Sequence, residues 1–251
     1  MSQTPQLSLI VPAYNEAKKI DHTLSALRDW LTGRMEYEII VCADGTDATA
    51  ELVAEQQNAD GRIQLVASRE RGGKGRAIRQ GMARAQGDII GFLDADYKVP
   101  IEEYEKLLFW LDEGFDIVIG SRGLAESVID VPQRFYRQLG SRLFGLAMHS
   151  LVGLRDIRDT QCGFKFFRNQ VARDLFARQR IDGYMFDVEV LYLARLSGYR
   201  IKEVGVRWRD DDDSRLQLIS GNWRNMIDLF RIRFNSARVE DAPLGCLEEA
   251  A

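Results

Sequence analysis

The sequence predicts an α/β protein whose mostly parallel central sheet is covered by helices on both faces. Two observations support this fold class. In the first 120 residues, apolar strand-like runs alternate regularly with segments of helical spacing, and no internal repeat or low-complexity linker interrupts the chain. Its 251 residues suit one large α/β domain or two small ones. We predict a single domain over 1–235 and a flexible tail over 236–251.

The first half supplies five strands and four helices. Ile20, Leu24, Leu27 and Leu31 recur at the spacing of one helix face, and Gly114 ends the fourth helix. By the same arguments, strands are expected at 7–13, 37–43, 63–68, 88–95 and 116–122, and helices at 16–31, 48–57, 75–85 and 101–114.

The regular alternation ends near residue 123. The rest of the chain is predicted to form a long amphipathic helix at 132–153, a short strand at 161–167, helices near 168–179 and 186–197, a strand at 201–208 and a last amphipathic helix at 222–234. We therefore expect a C-terminal elaboration of one domain.

Composition excludes several classes of protein. The chain is 45% hydrophobic and 29% charged, as expected of a soluble globular protein, and its net charge of −4 argues against a nucleic-acid binder. Its three cysteines are far apart and suggest no disulfide framework, and the N-terminal residues do not resemble a secretory signal. Both observations favour a reducing, cytoplasmic location. The longest nearly apolar run, 143–154, is too short to span a bilayer.

Two carboxylates follow the fourth strand in the stretch "GDIIGFLDADYKVP" (87–100). Alternate strand residues face the same way, so we expect Asp94 and Asp96 to project together. Like charges this close are costly unless a cation lies between them, and Mg²⁺ or Mn²⁺ held by carboxylate oxygens suits the pattern. The alternative is that Asp96 serves the dipole of the helix that begins near Pro100.

Polar residues also follow the other strands, in "PAYNE", "ADGTDAT" and "GSR". Parallel α/β sheets bind ligands beyond the carboxyl ends of their strands. We therefore expect these segments and the acidic pair to meet at one edge of the sheet.

These segments carry a resemblance to a known family. "IVPAYNEAKKI", "CADGTDAT" and "RGGKGRAIRQGMARAQGDIIGFLDAD" resemble the motifs of family 2 glycosyltransferases with the GT-A (nucleotide-diphospho-sugar transferase) fold, including its D-x-D motif. The polyprenyl-phosphate sugar transferase branch of the family is resembled by later segments: "RDTQCGFKFF", "FDVEVLYLARLSGYRIKEVGVRW" and "SRL" (214–216). Within that branch, the resemblance is stronger to the dolichyl-phosphate glucosyltransferases than to the dolichyl-phosphate mannose synthases. The resemblance covers almost the whole chain.

The resemblance implies a nucleotide-sugar-binding half over 6–122 and an acceptor-binding half over 123–235. It places Asp96 at the metal and Asp94 at the ribose or the metal. The residues implied around the nucleotide sugar are Pro12, Ala13, Tyr14, Glu16, Asp44, Lys74, Asp94 and Arg215, and the implied metal ligands are Asp94 and Asp96.

The glycine-rich stretch "RERGGKGRAIRQG" (69–81) is neither a Walker loop nor a dinucleotide fingerprint. Glycines that open a helix allow backbone N–H groups to cradle phosphate oxygens, with Lys74 as a point charge. The alternative is a flexible basic surface loop.

The acceptor implied by the resemblance is a polyprenyl phosphate, whose phosphate is largely ionised at neutral pH. The residues implied for the acceptor phosphate are Arg122, Arg137 and Ser141, while Asp159 and Gln161 orient donor and acceptor; Asp159, Asp96 and Arg122 are our catalytic candidates. The alternatives are surface arginines on an amphipathic helix and an Asp159 that caps a turn.

The predicted reaction is an inverting transfer of a hexose, with UDP-glucose favoured as donor and GDP-mannose as the alternative. Helices 132–153 and 222–234 offer peripheral contact with the cytosolic membrane face, although most such helices face a protein core. Two alternatives stay open: the same donor chemistry with a soluble acceptor, and a non-catalytic nucleotide-sugar binder. Ala43 and Lys98, which depart from the family pattern, favour the last.

Overall fold

The computed structural model describes residues 4–130, 152–209 and 220–235. The strands are β1 Leu7–Tyr14, β2 Tyr37–Asp44, β3 Ile63–Ser68, β4 Ile89–Leu93, β5 Ile117–Ser121, β6 Val128–Ile129, β7 Phe164–Arg168, β8 Ile201–Gly205 and β9 Arg207–Trp208. The helices are α1 Ile20–Leu31, α2 Thr49–Ala59, α3 Lys74–Arg84, α4 Tyr104–Asp112, α5 Asn169–Arg178, α6 Phe186–Leu196 and α7 Ser220–Asn235, with a 3-10 turn at Ile101–Glu103. The helix predicted at 132–153 falls almost wholly outside the described residues, and the tail 236–251 lies outside them.

Seven strands form one sheet in the order β3-β2-β1-β4-β7-β5-β8. Every neighbouring pair is parallel except those that β7 makes with β4 and β5. The predicted fold class, a mostly parallel sheet flanked by helices, is therefore confirmed. Strands β7 and β8, from the C-terminal part of the chain, extend the same sheet that β1 to β5 begin.

The core lies on both faces of this sheet. One face packs against α1, α2 and α4, and the other against α3, α5, α6 and α7. Strand β7 shows the alternation that divides them: Phe164 and Phe166 face the first layer, and Phe167 the second. Each of these phenylalanines is fully buried, which stabilises the fold by about 2–3 kcal/mol per side chain.

Two strands end earlier than predicted. Strand β4 stops at Leu93 because the carbonyl of Asp94 accepts the amide of Tyr97 at 3.1 Å and closes a turn. The strand predicted at 201–208 divides at Val206, whose N–H donates to Ser121 and whose carbonyl accepts from Val128. Its second part, β9, pairs with β6, which the sequence did not predict. No helix among the described residues is both long and apolar enough to cross a bilayer.

Candidate active site

Four strand ends meet at one edge of the sheet. Strands β1, β2 and β4 are mutually parallel, and β5 runs the same way because both β4 and β5 are antiparallel to β7. The segments that follow these strands are the ones singled out from the sequence. The candidate site is therefore built on strand termini that the core fixes rigidly.

The turn after β1 is fastened to the segment after β2. Asn15, in a left-handed conformation with φ of 53°, accepts the amides of Thr46 at 3.0 Å and Asp47 at 3.3 Å through its side-chain oxygen. The backbone amide of Glu16 donates to the Thr49 hydroxyl at 2.8 Å. Asn15 and Asp47 were missed in the sequence, although an Asn in a turn after a strand is the available signal.

Tyr14 and Asp44 lie next to each other, at the paired ends of β1 and β2. The Arg71 guanidinium lies 4.4 Å from the centre of the partly exposed Tyr14 ring. The buried Asp44 carboxylate accepts the amide of Gly72 at 2.8 Å. The structure thus gathers the residues predicted for the nucleotide, with Pro12 and Ala13 just before them on β1.

Asp94 and Asp96 lie in the turn after β4. The expectation that strand alternation brings them together is wrong, because the strand has ended before them and the turn does so instead. This turn is held from two sides: the Asp94 amide donates to the Gly163 carbonyl at 3.2 Å, and the Thr23 hydroxyl of α1 donates to the Ala95 carbonyl at 2.7 Å.

Gly163 leaves room for the Asp94 carboxylate. A Cβ atom at this position would lie 2.1 Å from Asp94 Oδ2, far inside van der Waals contact. The glycine of "QCGFK" is therefore required by the acidic turn. Its role was missed because it depends on a contact between β7 and the end of β4, residues that are distant in sequence.

Each acid of the turn is paired with a lysine. Lys74 Nζ lies 2.6 Å from Asp94 Oδ1, and Lys98 Nζ lies 3.2 Å from Asp96 Oδ2. Burial acts to lower the pKa of Lys74, but the neighbouring charges of Asp94 and Asp187 outweigh it and hold that pKa above its usual value. Burial, followed by the charge of Asp94, raises the pKa of Asp96.

The acidic turn fits a divalent cation shared with a ligand. Asp96 Oδ1 is buried and has no hydrogen-bond partner within the described part of the chain. No three His, Cys, Asp or Glu side chains converge among the described residues. Two carboxylates with ligand oxygens and water completing the shell are typical of Mg²⁺ held at a phosphate site. The residues present therefore suit Mg²⁺ or Mn²⁺ bound together with a diphosphate.

Two backbone amides at the start of α3 are already paired within the protein. The amides of Gly75 and Arg76 donate to the Asp182 carbonyl at 2.8 Å and 3.3 Å. Gly73, with φ of 97°, permits this approach, since a Cβ there would lie 2.3 Å from the same carbonyl. These two amides therefore do not point to a phosphate as predicted, while the Lys74 side chain reaches Asp94.

A buried ion pair supports the site from behind. Lys165 Nζ lies 2.5 Å from Asp187 Oδ1 and 2.6 Å from the Cys162 carbonyl. Both charged side chains are almost fully buried. Lys165 was missed because a lysine in an apolar strand gives no signal of its partner on α6. Burial raises the pKa of the Cys162 thiol to about 12, so this cysteine is not an activated nucleophile.

Arg122 and Asp159 form a bidentate pair. Arg122 donates to the Asp159 carboxylate through Nε at 2.7 Å, Nη2 at 2.9 Å and its backbone amide at 2.9 Å. Burial acts to raise the pKa of Asp159, but Arg122 outweighs it and holds that pKa below its usual value. The backbone amide of Gln161 also donates to Asp159 Oδ1, at 3.3 Å. The predicted Arg137, Ser141 and Arg215 lie outside the described residues.

Comparison with known proteins identifies the family. Residues 8–176, more than half of the chain, match the model of glycosyl transferase family 2. The chain belongs to that family. It is therefore a glycosyltransferase, as the sequence motifs predicted.

Relatives of known name cover most of the chain. The dolichyl-phosphate beta-glucosyltransferase of Drosophila melanogaster is 36% identical over 249 residues, which span 92% of this chain and 75% of that protein. The human protein of the same name is 32% identical over 233 residues, spanning 86% of this chain and 71% of that protein. These similarities confirm the predicted branch of the family.

Solved structures share the fold. Glucosyl-3-phosphoglycerate synthase of Mycobacterium tuberculosis, crystallised with Mn²⁺, uridine diphosphate and glucosyl-3-phosphoglycerate, superposes with a TM-score of 0.66 at 22% identity. The superposition covers 91% of this chain and 80% of that one. The likeness confirms the GT-A fold predicted from the sequence.

Proposed function

We propose that this glycosyltransferase moves glucose from UDP-glucose to a polyprenyl phosphate with inversion at the anomeric carbon. The observation that supports this most strongly is the acidic turn at Asp94 and Asp96, at the edge where the strand ends meet. One buried Asp96 oxygen there has no hydrogen-bond partner among the described residues. The names of the dolichyl-phosphate glucosyltransferase relatives support the sugar and the acceptor. Bound UDP and UDP-glucose in structural neighbours support the nucleotide.

The donor would lie across the ends of β1, β2 and β4. Tyr14 and Asp44 face the nucleoside, since an aromatic ring and a carboxylate suit a base and its hydrogen-bond donors. Lys74, on the same side as Asp94, meets the diphosphate. Asp94 and Asp96 would hold Mg²⁺ or Mn²⁺, which would supply positive charge for the leaving diphosphate. The other residues proposed here are Pro12, Ala13, Glu16 and, beyond the described residues, Arg215.

The Arg122–Asp159 pair favours an acceptor that is already ionised. A carboxylate that accepts three N–H groups of Arg122 and the backbone amide of Gln161, and that has a lowered pKa, is a poor general base. A lipid monophosphate needs no strong base, because its second pKa is about 6. Asp159 therefore acts as a positioning residue that aims Arg122 at the acceptor phosphate, with Gln161 beside it. Arg137 and Ser141 complete the proposed acceptor site.

Helix α7 offers a surface for contact with the membrane that holds such an acceptor. Its outer face exposes three large apolar side chains, while Leu229 and Ile232 pack into the core. The exposed residues are Ile227, Phe230 and Phe234, and Arg231 and Arg233 lie among them. Apolar side chains bordered by arginines suit an anionic lipid surface. This surface supports the predicted peripheral contact with the cytosolic membrane face.

Transfer is tested with radiolabelled UDP-glucose or GDP-mannose, Mn²⁺ or Mg²⁺, and dolichyl or undecaprenyl phosphate. The proposal predicts that label from UDP-glucose enters the organic phase as a lipid-linked sugar. Label that appears only on a water-soluble acceptor contradicts the lipid acceptor. Nucleotide binding without turnover on any acceptor contradicts catalysis and favours a binding protein.

A further inference from the structure

Lys98 is held against the acidic turn on two sides. Its ammonium lies 3.2 Å from Asp96 Oδ2 and 5.7 Å from the centre of the Trp208 ring. Its backbone carbonyl accepts the amide of Arg209 at 3.0 Å, which attaches it to β9. The side chain is only 15% exposed. Lys98 is therefore a fixed part of the site and not a surface lysine near an acid.

The charges of the two lysine–carboxylate pairs in the acidic turn balance one another. Asp94 and Asp96 carry two negative charges, and the ammonium groups paired with them, on Lys74 and Lys98, carry two positive ones. A divalent cation entering alone places two further positive charges beside both lysines in a partly buried site, where like charges repel strongly. A nucleoside diphosphate entering with it supplies the missing negative charge.

The two carboxylate oxygens of Asp96 differ in their partners, which bears on how a cation would bind. Oδ2 is paired with Lys98, while Oδ1 is buried and has no hydrogen-bond partner in the described part of the chain. A cation bound at Oδ1 would share the Asp96 carboxylate with the Lys98 ammonium on Oδ2, and the two positive charges would repel each other. Displaced from Oδ2, the ammonium keeps the face of Trp208, where cation–π attraction holds it.

We infer that Lys98 is an internal counter-ion which the divalent cation displaces from Asp96. The cation consequently binds weakly by itself and strongly together with a nucleoside diphosphate, so Lys98 couples the two binding steps. This inference rests on the proposed function, because it takes the acidic turn as the cation site. It adds an order of events that the family match does not provide: the donor and its cation enter together.

The test measures Mn²⁺ binding to the whole chain by electron paramagnetic resonance of the free ion, with and without UDP. For the wild type, UDP should tighten Mn²⁺ binding at least about tenfold. Lys98→Met should tighten the binding of Mn²⁺ alone by a similar factor, about tenfold, and reduce the further gain from UDP. Lys98→Gln provides a second variant, and thermal unfolding shows that each is folded.

Lys106→Met is the matched control. Lys106 pairs with Glu103 at 2.6 Å on the exposed side of α4, and its loss should leave Mn²⁺ binding at the wild-type value. Adding Asp96→Asn to Lys98→Met should abolish the gained affinity.

Three outcomes overturn the inference. Unchanged or weaker binding of Mn²⁺ alone to both Lys98 variants removes the competition while leaving the proposed cation site intact. A gain that survives Asp96→Asn places the ion elsewhere. Failure of the wild type to bind Mn²⁺ even with UDP overturns the proposed cation-dependent function itself and the inference with it.

Discussion

At the scale of single residues, Gly163 and Asp94 compete for the same small volume. The carboxylate of Asp94 lies where a side chain on residue 163 would begin, and the backbone of Gly163 accepts the Asp94 amide at 3.2 Å. The position of the Asp94 carboxylate thus depends on the absence of a Cβ atom at residue 163. A side chain on residue 163 would therefore displace the Asp94 carboxylate.

Gly163→Ala should weaken Mn²⁺-dependent UDP binding by about 10- to 100-fold. The added methyl group displaces the Asp94 carboxylate, and disturbing the surroundings that orient a metal ligand costs about this much in metal affinity. Isothermal titration calorimetry of UDP in Mn²⁺ measures the effect. The control is Gly61→Ala, where an added Cβ meets nothing within 4 Å. Wild-type UDP affinity in the Gly163 variant would show that the acidic turn does not depend on this glycine.

Asp159 should make stability depend on pH. Because Arg122 holds its pKa below the unfolded value, its contribution is fully present above about pH 4 and is lost as pH falls through the folded pKa. Asp159→Asn should lower the free energy of unfolding by about 3 kcal/mol at pH 7. In urea unfolding from pH 7 to pH 2.5, the gap between variant and wild type should close towards acid. A gap that is constant across this range would contradict the account.

At the scale of secondary-structure elements, β7 is the strand on which the site depends. It enters the sheet antiparallel between β4 and β5, and its first residues contact the acidic turn. Lys165 ties this strand to α6 through Asp187 and to the Cys162 carbonyl at 2.6 Å. The same ion pair also lies close enough to Lys74 for Asp187 to affect the pKa of that lysine. The buried pair therefore joins β7 to α6 and acts electrostatically on Lys74.

Lys165→Met should destabilise the protein by about 3–5 kcal/mol, because it leaves the buried Asp187 carboxylate unpaired. Adding Asp187→Leu should recover much of that loss, since it removes the stranded charge. Chemical denaturation of both variants measures the two free energies. Lys106→Met, which removes a lysine whose side chain is 53% exposed, should change stability by about 1 kcal/mol or less. If both variants lose the same free energy of unfolding, the unpaired Asp187 charge is not the cause of the destabilisation.

The elements differ in how far the sequence predicted them. Helix α1 and the strands β1 to β3 follow local apolar periodicity, and their positions were predicted closely. The turn at Asp94 and the break at Val206 were not, because each is set by hydrogen bonds to distant residues such as Gly163 and Ser121. The same limit applies to the site: motifs identified the acids, but not the lysine and glycine partners that fix them.

At the scale of the whole molecule, one rigid sheet carries both ends of the proposed reaction. The donor residues follow β1, β2 and β4, and Arg122 follows β5, separated from β4 in the sheet only by β7. The described acceptor-side pair, Arg122 and Asp159, is linked to the donor side by Trp208: its ring lies 5.6 Å from the Arg122 guanidinium and 5.7 Å from the Lys98 ammonium. The fold thus holds the Lys98 ammonium and the Arg122 guanidinium close to the same Trp208 ring.

The central claim is that Asp94 and Asp96 bind the diphosphate of an activated sugar through a divalent cation. It is tested most directly by calorimetric titration of UDP into wild type and the Asp94→Asn, Asp96→Asn double variant, each with Mn²⁺ and with EDTA. The account predicts that the double variant loses about 100-fold in UDP affinity in Mn²⁺, close to the loss that EDTA causes in the wild type. Wild-type UDP affinity in the double variant in saturating Mn²⁺ would contradict the claim.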